Sequence, residues 1–394
     1  MVDPVPQLED LALQRGCRVL LRADFNVPLH DGRIEDDLRI TAALPTIAYL
    51  RERGAEVVCC SHLGRPKGKV DPKYSLAPVA SRLGELLGTE VQLSPEVAGF
   101  ESVRRSQSME PGSVMMIENL RFDPGEEAND PAFASNLTQL ADMYVDDAFG
   151  AAHRAHASIV GPPVLLPSAA GRLLAREVEV LGGLLDAPKR PFVAVLGGVK
   201  VSDKLGVIDA LLRRCDTLLI GGAMAFTFLA ARGAQVGDSL VQDDQVDHCR
   251  ELLDSGRIEI PTDVVAAADM TADARTQHVR ADRIPAGLSG FDIGPETAGH
   301  YADVIAGAAT VLWNGPMGVF ELEPFAAGTR TVAQAAAECR GFTVIGGGDS
   351  ASAVRHFGLA DRIDHVSTGG GASLELLELG DLPGLQALRR ETRR

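Results

Sequence analysis

Residues 342–354 read FTVIGGGDSASAV: an apolar run of strand length, three glycines, an aspartate and a serine, then small residues suited to a helix. Backbone N–H groups at such a helix start form an anion site. The Lys-Ser/Thr pair that completes a P-loop is absent, and G-x-x-x-x-G-K-[ST] occurs nowhere in the chain. A phosphate on Gly346–Ser350 would need its cation from elsewhere. The same strand-then-glycine unit, repeated, decides the fold. Apolar runs alternate with helical patterns throughout, the mark of an α/β fold with parallel sheets. They fall at 18–26, 55–66, 113–122 and 143–150, then at 191–200, 216–226, 262–269, 310–318, 342–350 and 365–371. Each half shows the pattern separately. Between them 171–191 reads as an amphipathic helix closed by Gly182-Gly183 and a proline-bearing turn, and is expected to connect two domains.

A length of 394 residues suits two or three domains with proper cores. With 45% hydrophobic and 23% charged residues, disorder and low complexity are not expected. The net charge of −16 argues against a general nucleic-acid binder, which needs a broad basic face. Against that acidity, any gathering of arginines is conspicuous. The six cysteines show no C-x-x-C spacing and are too sparse for a disulfide scaffold. MVDPVPQLED has neither a basic start nor an apolar core, and no apolar stretch is long enough to span a bilayer. The expectation is a reduced, cytoplasmic protein with no membrane or nucleic-acid partner.

The halves differ in the residues at the carboxyl end of each strand. First-half strands end in Arg22, Asp24 and Asn26; His62 and Arg65; Arg121; and His153, Arg154 and His156. Second-half strands end in glycines. Ligands of open α/β sheets lie beyond the carboxyl ends of the strands. The first half therefore suits a small polyanion. The second suits a nucleotide, whose phosphates need close backbone approach.

Each motif also has a structural reading. RADFNVP (22–28) sets Arg22, Asp24 and Asn26 on one strand face, for substrate hydroxyls and carboxylate or as an Arg–Asp pair before a turn. IEDDLRITAALPTI (34–47) reads as a helix capped by Asp36 or Asp37. Arg39 in its first turn opposes the helix dipole and suggests a bound anion, or a pair with Asp36. AAHRAHAS (151–158) contains H-x-x-H, but no third zinc ligand is nominated nearby, so anion binding by Arg154 is favoured over metal. In AVLGGVKVSDK (194–204), a helix starting after Gly198 would put Lys200 and Lys204 on one face, as the missing cations. WNGPMGVFE (313–321) offers Glu321 to ribose hydroxyls, and STGGGASLE (367–375) is a second glycine-rich helix start. Gly346-x-Gly348-x-x-Ala351 also fits a dinucleotide fingerprint, making an NAD-dependent oxidoreductase one rival; its place near the C-terminus opposes that. A non-catalytic, two-lobed anion-binding protein is the other, and it leaves Lys200 and Lys204 unexplained.

RADFNVP, SHLGRPKG, IENLRF, DAFGAAHRAHAS, GGVKVSDK, GGAMAFTFL, WNGPMGVFE, GGGDSASAV and STGGGASLELLE, in this order, closely resemble the phosphoglycerate kinases. The resemblance implies reversible phosphoryl transfer from 1,3-bisphosphoglycerate to MgADP, giving 3-phosphoglycerate and MgATP. It implies a hinge-bending monomer of two Rossmann-like lobes, each a parallel-sheet α/β sandwich, joined by a connecting helix. The expected boundaries are 1–170 for phosphoglycerate binding, 171–190 for the helix and hinge, 191–379 for the nucleotide, and 380–394 returning to the first lobe. Carried over by motif, Asp24, Phe25, Asn26, Arg39, His62, Leu63, Gly64, Arg65, Arg121 and Arg154 would bind phosphoglycerate. Gly197, Gly198, Lys204, Gly221, Gly222, Gly290, Phe291, Asn314, Glu321, Gly347, Gly348, Asp349 and Ser350 would bind nucleotide, with Asp349 also holding Mg²⁺. Arg39, Lys200, Gly370 and Gly371 would act on the phosphoryl group in transfer. Val199 stands where alanine is usual, Phe291 where leucine is common, and the tail lacks the usual Leu-Glu-Gly-Lys.

Overall fold

A computed structural model describes residues 3–391. Among these, the chain up to Gly182 together with the tail from Gly380 forms one compact unit, and Gly183–Leu379 forms another. No helix of the described residues is long and apolar enough to cross a membrane.

The first unit is built on six parallel strands: β1 (Arg18–Arg22), β2 (Glu56–Cys60), β3 (Val91–Leu93), β4 (Val114–Met116), β5 (Met143–Asp146) and β6 (Ser168–Ala170). Their order is β3-β4-β2-β1-β5-β6. All five residues of EVVCC in β2 are buried, as expected of a parallel strand covered on both faces. Burial also pushes the Cys59 thiol up to about 12, so this pair is core rather than chemistry. From β1 the chain winds towards β2, whereas β5 and β6 are laid down on the other side of β1. The carboxyl ends of β1 and β5 therefore flank a topological switch point.

Helix α1 (Leu38–Glu52) starts directly after Asp36 and Asp37, as the pattern implied, and runs through Pro45. Its start is fixed by Asp36, whose Oδ1 accepts from Leu38 N at 2.9 Å. Helix α2 (Arg172–Asp186) begins where the buried Asp147 accepts from Leu173 N and Leu174 N, at 2.9 and 3.2 Å. Gly182-Gly183 does not close it. Leu181 and Leu184 are both buried, and packing on either side carries the helix through the glycines.

The second unit has its own parallel sheet and a smaller antiparallel one. In chain order the strands of these two sheets are β7 (Phe192–Leu196), β8 (Thr217–Ile220), β9 (Ile258–Glu259), β10 (Asp263–Ala267), β11 (Gln277–Arg280), β12 (Ser289–Ile293), β13 (Thr310–Asn314), β14 (Phe342–Gly346) and β15 (His365–Val366). The parallel order is β9-β8-β7-β13-β14-β15, so the winding reverses between β7 and β13. The run at 262–269 departs from expectation. As β10 it pairs antiparallel with β11 and β12. Apolar composition marks a buried strand but not its partner. Five further helices matter below: α3 (Leu205–Leu212), α4 (Ala327–Glu338), α5 (Gly348–His356), α6 (Gly371–Leu379) and α7 (Pro383–Glu391). Helix α7 packs on the first unit, where Gly384 N donates to the Ala152 carbonyl at 2.9 Å.

Candidate functional site

The carboxyl edge of the first sheet gathers cations. β1 ends at Arg22, so Asp24 and Asn26 lie in the loop beyond it rather than on a strand face. Asp24 is buried and accepts from Arg39 Nη1 at 2.6 Å. Arg39 thus pairs with Asp24, not Asp36, and its place against the helix dipole is balanced by that carboxylate. Burial would raise the Asp24 carboxyl, but Arg39, His62 and Arg22 outweigh it and hold it below the ordinary range. Asn26 Oδ1 accepts from Gly64 N at 2.9 Å, tying the two loops together. Arg121 is buried, donating from Nη1 to the Gly64 carbonyl at 2.7 Å, with Glu127 Oε1 3.1 Å from its Nε. Arg154 donates from Nε to His153 Nε2 at 3.1 Å. Phe25 and Leu63 are buried supports, whereas Arg65 is exposed.

The three histidines of this edge are held neutral. Burial, then the guanidinia of Arg22, Arg121 and Arg39, keep His62 well below its usual value against the pull of Asp24. His156 is pushed down to about 4 by burial and then by Arg121, Arg22 and Arg154. Burial and Arg154 lower His153. The H-x-x-H pair faces arginines, and no group of three or more His, Cys, Asp or Glu among the described residues could hold a metal ion. The edge is positive in character, a basin that would suit an anion.

Motif reading named Arg22 as a carboxylate ligand or a partner for Asp24, but left out the two residues that hold it, Ser158 and Glu126. Arg22 is fully buried, and so are Ser158 and Glu126, which fasten it from below. Ser158 Oγ accepts from Arg22 Nε at 2.9 Å and donates to Glu126 Oε1 at 2.7 Å. PGEE and AHAS carry these residues, but nothing in either motif indicates that they meet across 32 positions.

In the second unit the glycines crowd around the switch point between β7 and β13. Gly222 has φ +66°, and a Cβ there would lie 2.5 Å from Gly198 N. Its N–H donates to the Met317 carbonyl at 3.0 Å, and Gly198 N donates to the Pro316 carbonyl at 3.2 Å. The loops after β7, β8 and β13 are thereby stitched backbone to backbone. Added side chains at Gly197 and Gly221 would strike Pro316 and Met317. Gly290 on β12 abuts the Phe226 ring, and Phe291 packs on Phe325 with centroids 5.0 Å apart. Glu321 is exposed at the end of the β13 loop.

The expected pairing of Lys200 and Lys204 on one helix face does not occur. Residues 199–204 form a turn, α3 starts only at Leu205, and Lys204 is its cap. Lys200 is exposed in the loop. Lys204 turns inward, donating to the Asn314 side-chain oxygen and, at 3.2 Å, to the Asn314 carbonyl. Burial lowers its ammonium to about 8, with Asp349 and Asp203 opposing. The Asn314 amide nitrogen is sealed from solvent without a partner. Gly347, at φ +90°, passes so close that a Cβ would sit 2.8 Å from that nitrogen.

At the start of α5 the two side chains divide. Asp349 is exposed in the first turn, whereas Ser350 is fully buried. Ser350 Oγ accepts from Gly315 N, so its side chain braces the β13 loop instead of facing outward. Gly369 N donates to Ser367 Oγ at 3.1 Å, while Gly370 (φ +54°) and Gly371 open α6. A single exposed carboxylate is too little for an all-protein metal cage. It fits Mg²⁺ brought in on nucleotide phosphates, which needs only one or two protein carboxylates.

The family profile described as phosphoglycerate kinase matches residues 8–379. A relative from Roseiflexus castenholzii, named phosphoglycerate kinase, is 55% identical over 380 residues, 95% of this chain and 96% of that one. One of the same name from Salinispora tropica is 55% identical over 392 residues, 97% and 98% of the two chains. The solved phosphoglycerate kinase from Coxiella burnetii superposes with TM-score 0.89 at 40% identity, covering 98% of this chain and 99% of that one. That from Pyrococcus horikoshii gives 0.87 at 34% identity, over the same shares.

Proposed function

The chain belongs to the phosphoglycerate kinase family, and on that premise we propose how its own residues would carry the transfer. The reaction moves a phosphoryl group between 1,3-bisphosphoglycerate and MgADP, giving 3-phosphoglycerate and MgATP. The nucleophile is an ADP phosphate oxygen or, in reverse, a carboxylate already ionised at neutral pH. Neither needs a general base. Three histidines held below the ordinary imidazole value, and no Ser–His side-chain hydrogen bond among the described residues, agree with that. What the transfer needs is charge on a loose phosphoryl group and an in-line approach.

The observation that carries the reading is the convergence of Arg22, Arg39 and Arg121 on His62, with Arg154 beside Arg121. An acidic chain has assembled a polyanion basin at one switch point and a glycine cradle at the other. In this reading Asp24 and Asn26 take the phosphoglycerate hydroxyl, and His62, Arg65, Arg121 and Arg154 take its charged ends. Lys204 and Asn314 take nucleotide phosphates, Gly221, Gly222, Gly290 and Phe291 surround the base, and Glu321 takes the ribose. Arg39, Lys200 and the N–H groups of Gly370 and Gly371 neutralise the migrating group, as preorganised charge and dipoles. Mg²⁺, when bound through Asp349 and the nucleotide, supplies further neutralisation of phosphate charge. Arg39 and Lys200 belong to different units, so the reading requires closure during turnover. We take the enzyme to act as a cytoplasmic monomer, as the resemblance implies.

The test is a coupled assay for ADP production. Activity that needs both 3-phosphoglycerate and Mg²⁺ is expected. ADP release independent of 3-phosphoglycerate would refute the reading.

A further inference from the structure

Arg22 occupies the last position of β1 with its guanidinium wholly enclosed. Its side-chain hydrogen bonds run to neutral acceptors: Nε to Ser158 Oγ at 2.9 Å, Nη1 to the Ala23 carbonyl at 2.6 Å, and Nη2 to His62 Nδ1 at 3.2 Å. The charge is balanced at one remove. Glu126, itself fully buried, accepts from the Ser158 hydroxyl at 2.7 Å and from Ser158 N at 2.9 Å. A buried carboxylate, a hydroxyl, a guanidinium and an imidazole are thus joined in a row that ends at the anion basin.

The direction of that row decides where the histidine proton is. A guanidinium has donors and no acceptor, so His62 Nδ1 must offer its lone pair to Arg22. A second proton on the ring is opposed by burial and by the positive charges of Arg22, Arg121 and Arg39, with Asp24 the facing carboxylate. The single proton therefore belongs on Nε2, which has no hydrogen-bond partner among the described residues. We propose that Arg22, anchored through Ser158 to Glu126, is a positioning residue that fixes His62 as the Nε2–H tautomer, a constant donor to an acceptor-only oxygen of the phosphoglycerate. The second half of this statement rests on the reading of His62 as a substrate ligand. The first does not.

The two halves are tested separately on the full-length protein. Nitrogen-15 correlation spectra of the histidine rings, with His62 assigned by loss of its signals in His62→Gln, report the tautomer without substrate. At neutral pH the expected pattern is an unprotonated Nδ1 and a protonated Nε2. A protonated Nδ1, or a ring protonated on both nitrogens, overturns the proposal on the parent protein alone, even if no variant at position 22 folds. In Arg22→Met the ring should exchange between tautomers, and Arg22→Lys, which keeps a donor, should restore the parental pattern. An unchanged tautomer in Arg22→Met overturns the role of Arg22. In the coupled assay, loss of the fixed donor should raise KM for 3-phosphoglycerate about tenfold, the worth of one hydrogen bond to a charged group, with KM for ATP unchanged. A lost tautomer with an unmoved KM would leave the lock standing and overturn its service to the substrate. A purely structural role for Arg22 would lower the melting temperature without that split.

Discussion

Thr329 offers the sharpest test of how the proposed nucleotide loop is held. It lies in the first turn of α4, fully buried, and its Oγ1 accepts from both Met317 N and Gly318 N at 3.1 Å. One hydroxyl therefore satisfies two consecutive amides of the loop beyond β13. Thr329→Val keeps the shape and removes the acceptor. Met317 is buried, so its stranded amide costs ~1–3 kcal/mol, and the half-buried Gly318 amide costs less, for a total of ~2–4 kcal/mol. Each kcal/mol moves the melting temperature by about 2–4 °C in a unit of this size, so a fall on the order of 5–15 °C is expected. The same loop carries Gly315, which donates to Ser350, and leads to Glu321. Its loosening should raise KM for ATP several-fold while KM for 3-phosphoglycerate stays put. Differential scanning fluorimetry and the coupled assay measure both, and Thr329→Ser should recover most of each. A valine variant that melts with the parent and has the parental KM for ATP would refute the reasoning.

Lys200→Ala should lower kcat by about two to four orders of magnitude with modest change in KM, the pattern of lost transition-state stabilisation; an unchanged kcat removes Lys200 from the chemistry. Arg65→Ala should raise KM for 3-phosphoglycerate and leave ATP affinity alone, and weakened ATP binding would contradict its assignment. The Lys204 ammonium, brought down to about 8 chiefly by burial, should be lost as pH rises through that value, so KM for ATP should climb there. Lys204→Arg stays charged and should flatten the climb; coincident profiles would count against it. Burial raises the Asp292 carboxyl to about 8. Between the ordinary carboxylate range and about 8 the folded chain keeps a proton that the unfolded chain releases. Its contribution to stability is therefore present at low pH, lost as pH rises through about 8, and constant above. Melting temperatures of the parent should fall more steeply than those of Asp292→Asn between neutral pH and about 8, and parallel curves would exclude the effect.

Much of the architecture could be read from apolar runs because a parallel strand buried on both faces leaves a continuous hydrophobic signature. FVAVL of β7 and TVLWN of β13 are buried at every position. The runs overreached at their ends for a physical reason. Asp24, Asn26 and Gly197 are candidate site residues, and the candidate site begins where the ladder stops. Two helix boundaries misled for different reasons. The leucines around Gly182-Gly183 outweigh the glycines' intrinsic cost, while the turn at 199–204 delays α3 until Lys204 can cap it. β10 was visible as a strand, yet its neighbour QHVR, in which only Val279 is even partly buried, gave no sign that the pairing would be antiparallel.

Partnership was the illegible part, because it joins residues far apart in the chain. Arg22 and Ser158 are 136 positions apart, and Lys204 and Asn314 are 110. The consequence for the basin is electrostatic. Clustered guanidinia repel one another, and here they are tolerated because Asp24, Glu126 and Glu127 lie among them. Burial first, and then those same guanidinia, bring His62, His153 and His156 below the ordinary histidine value. The positive charge offered to a polyanion is consequently set by arginines that cannot titrate in the physiological range. In the arrangement proposed above, His62 adds a donor of fixed direction without adding charge. A basin built this way should keep its affinity for phosphoglycerate nearly constant between pH 6.5 and 8, as KM measured across that interval would show. A fall in KM on acidification through the ordinary histidine range would mean that a histidine charges after all.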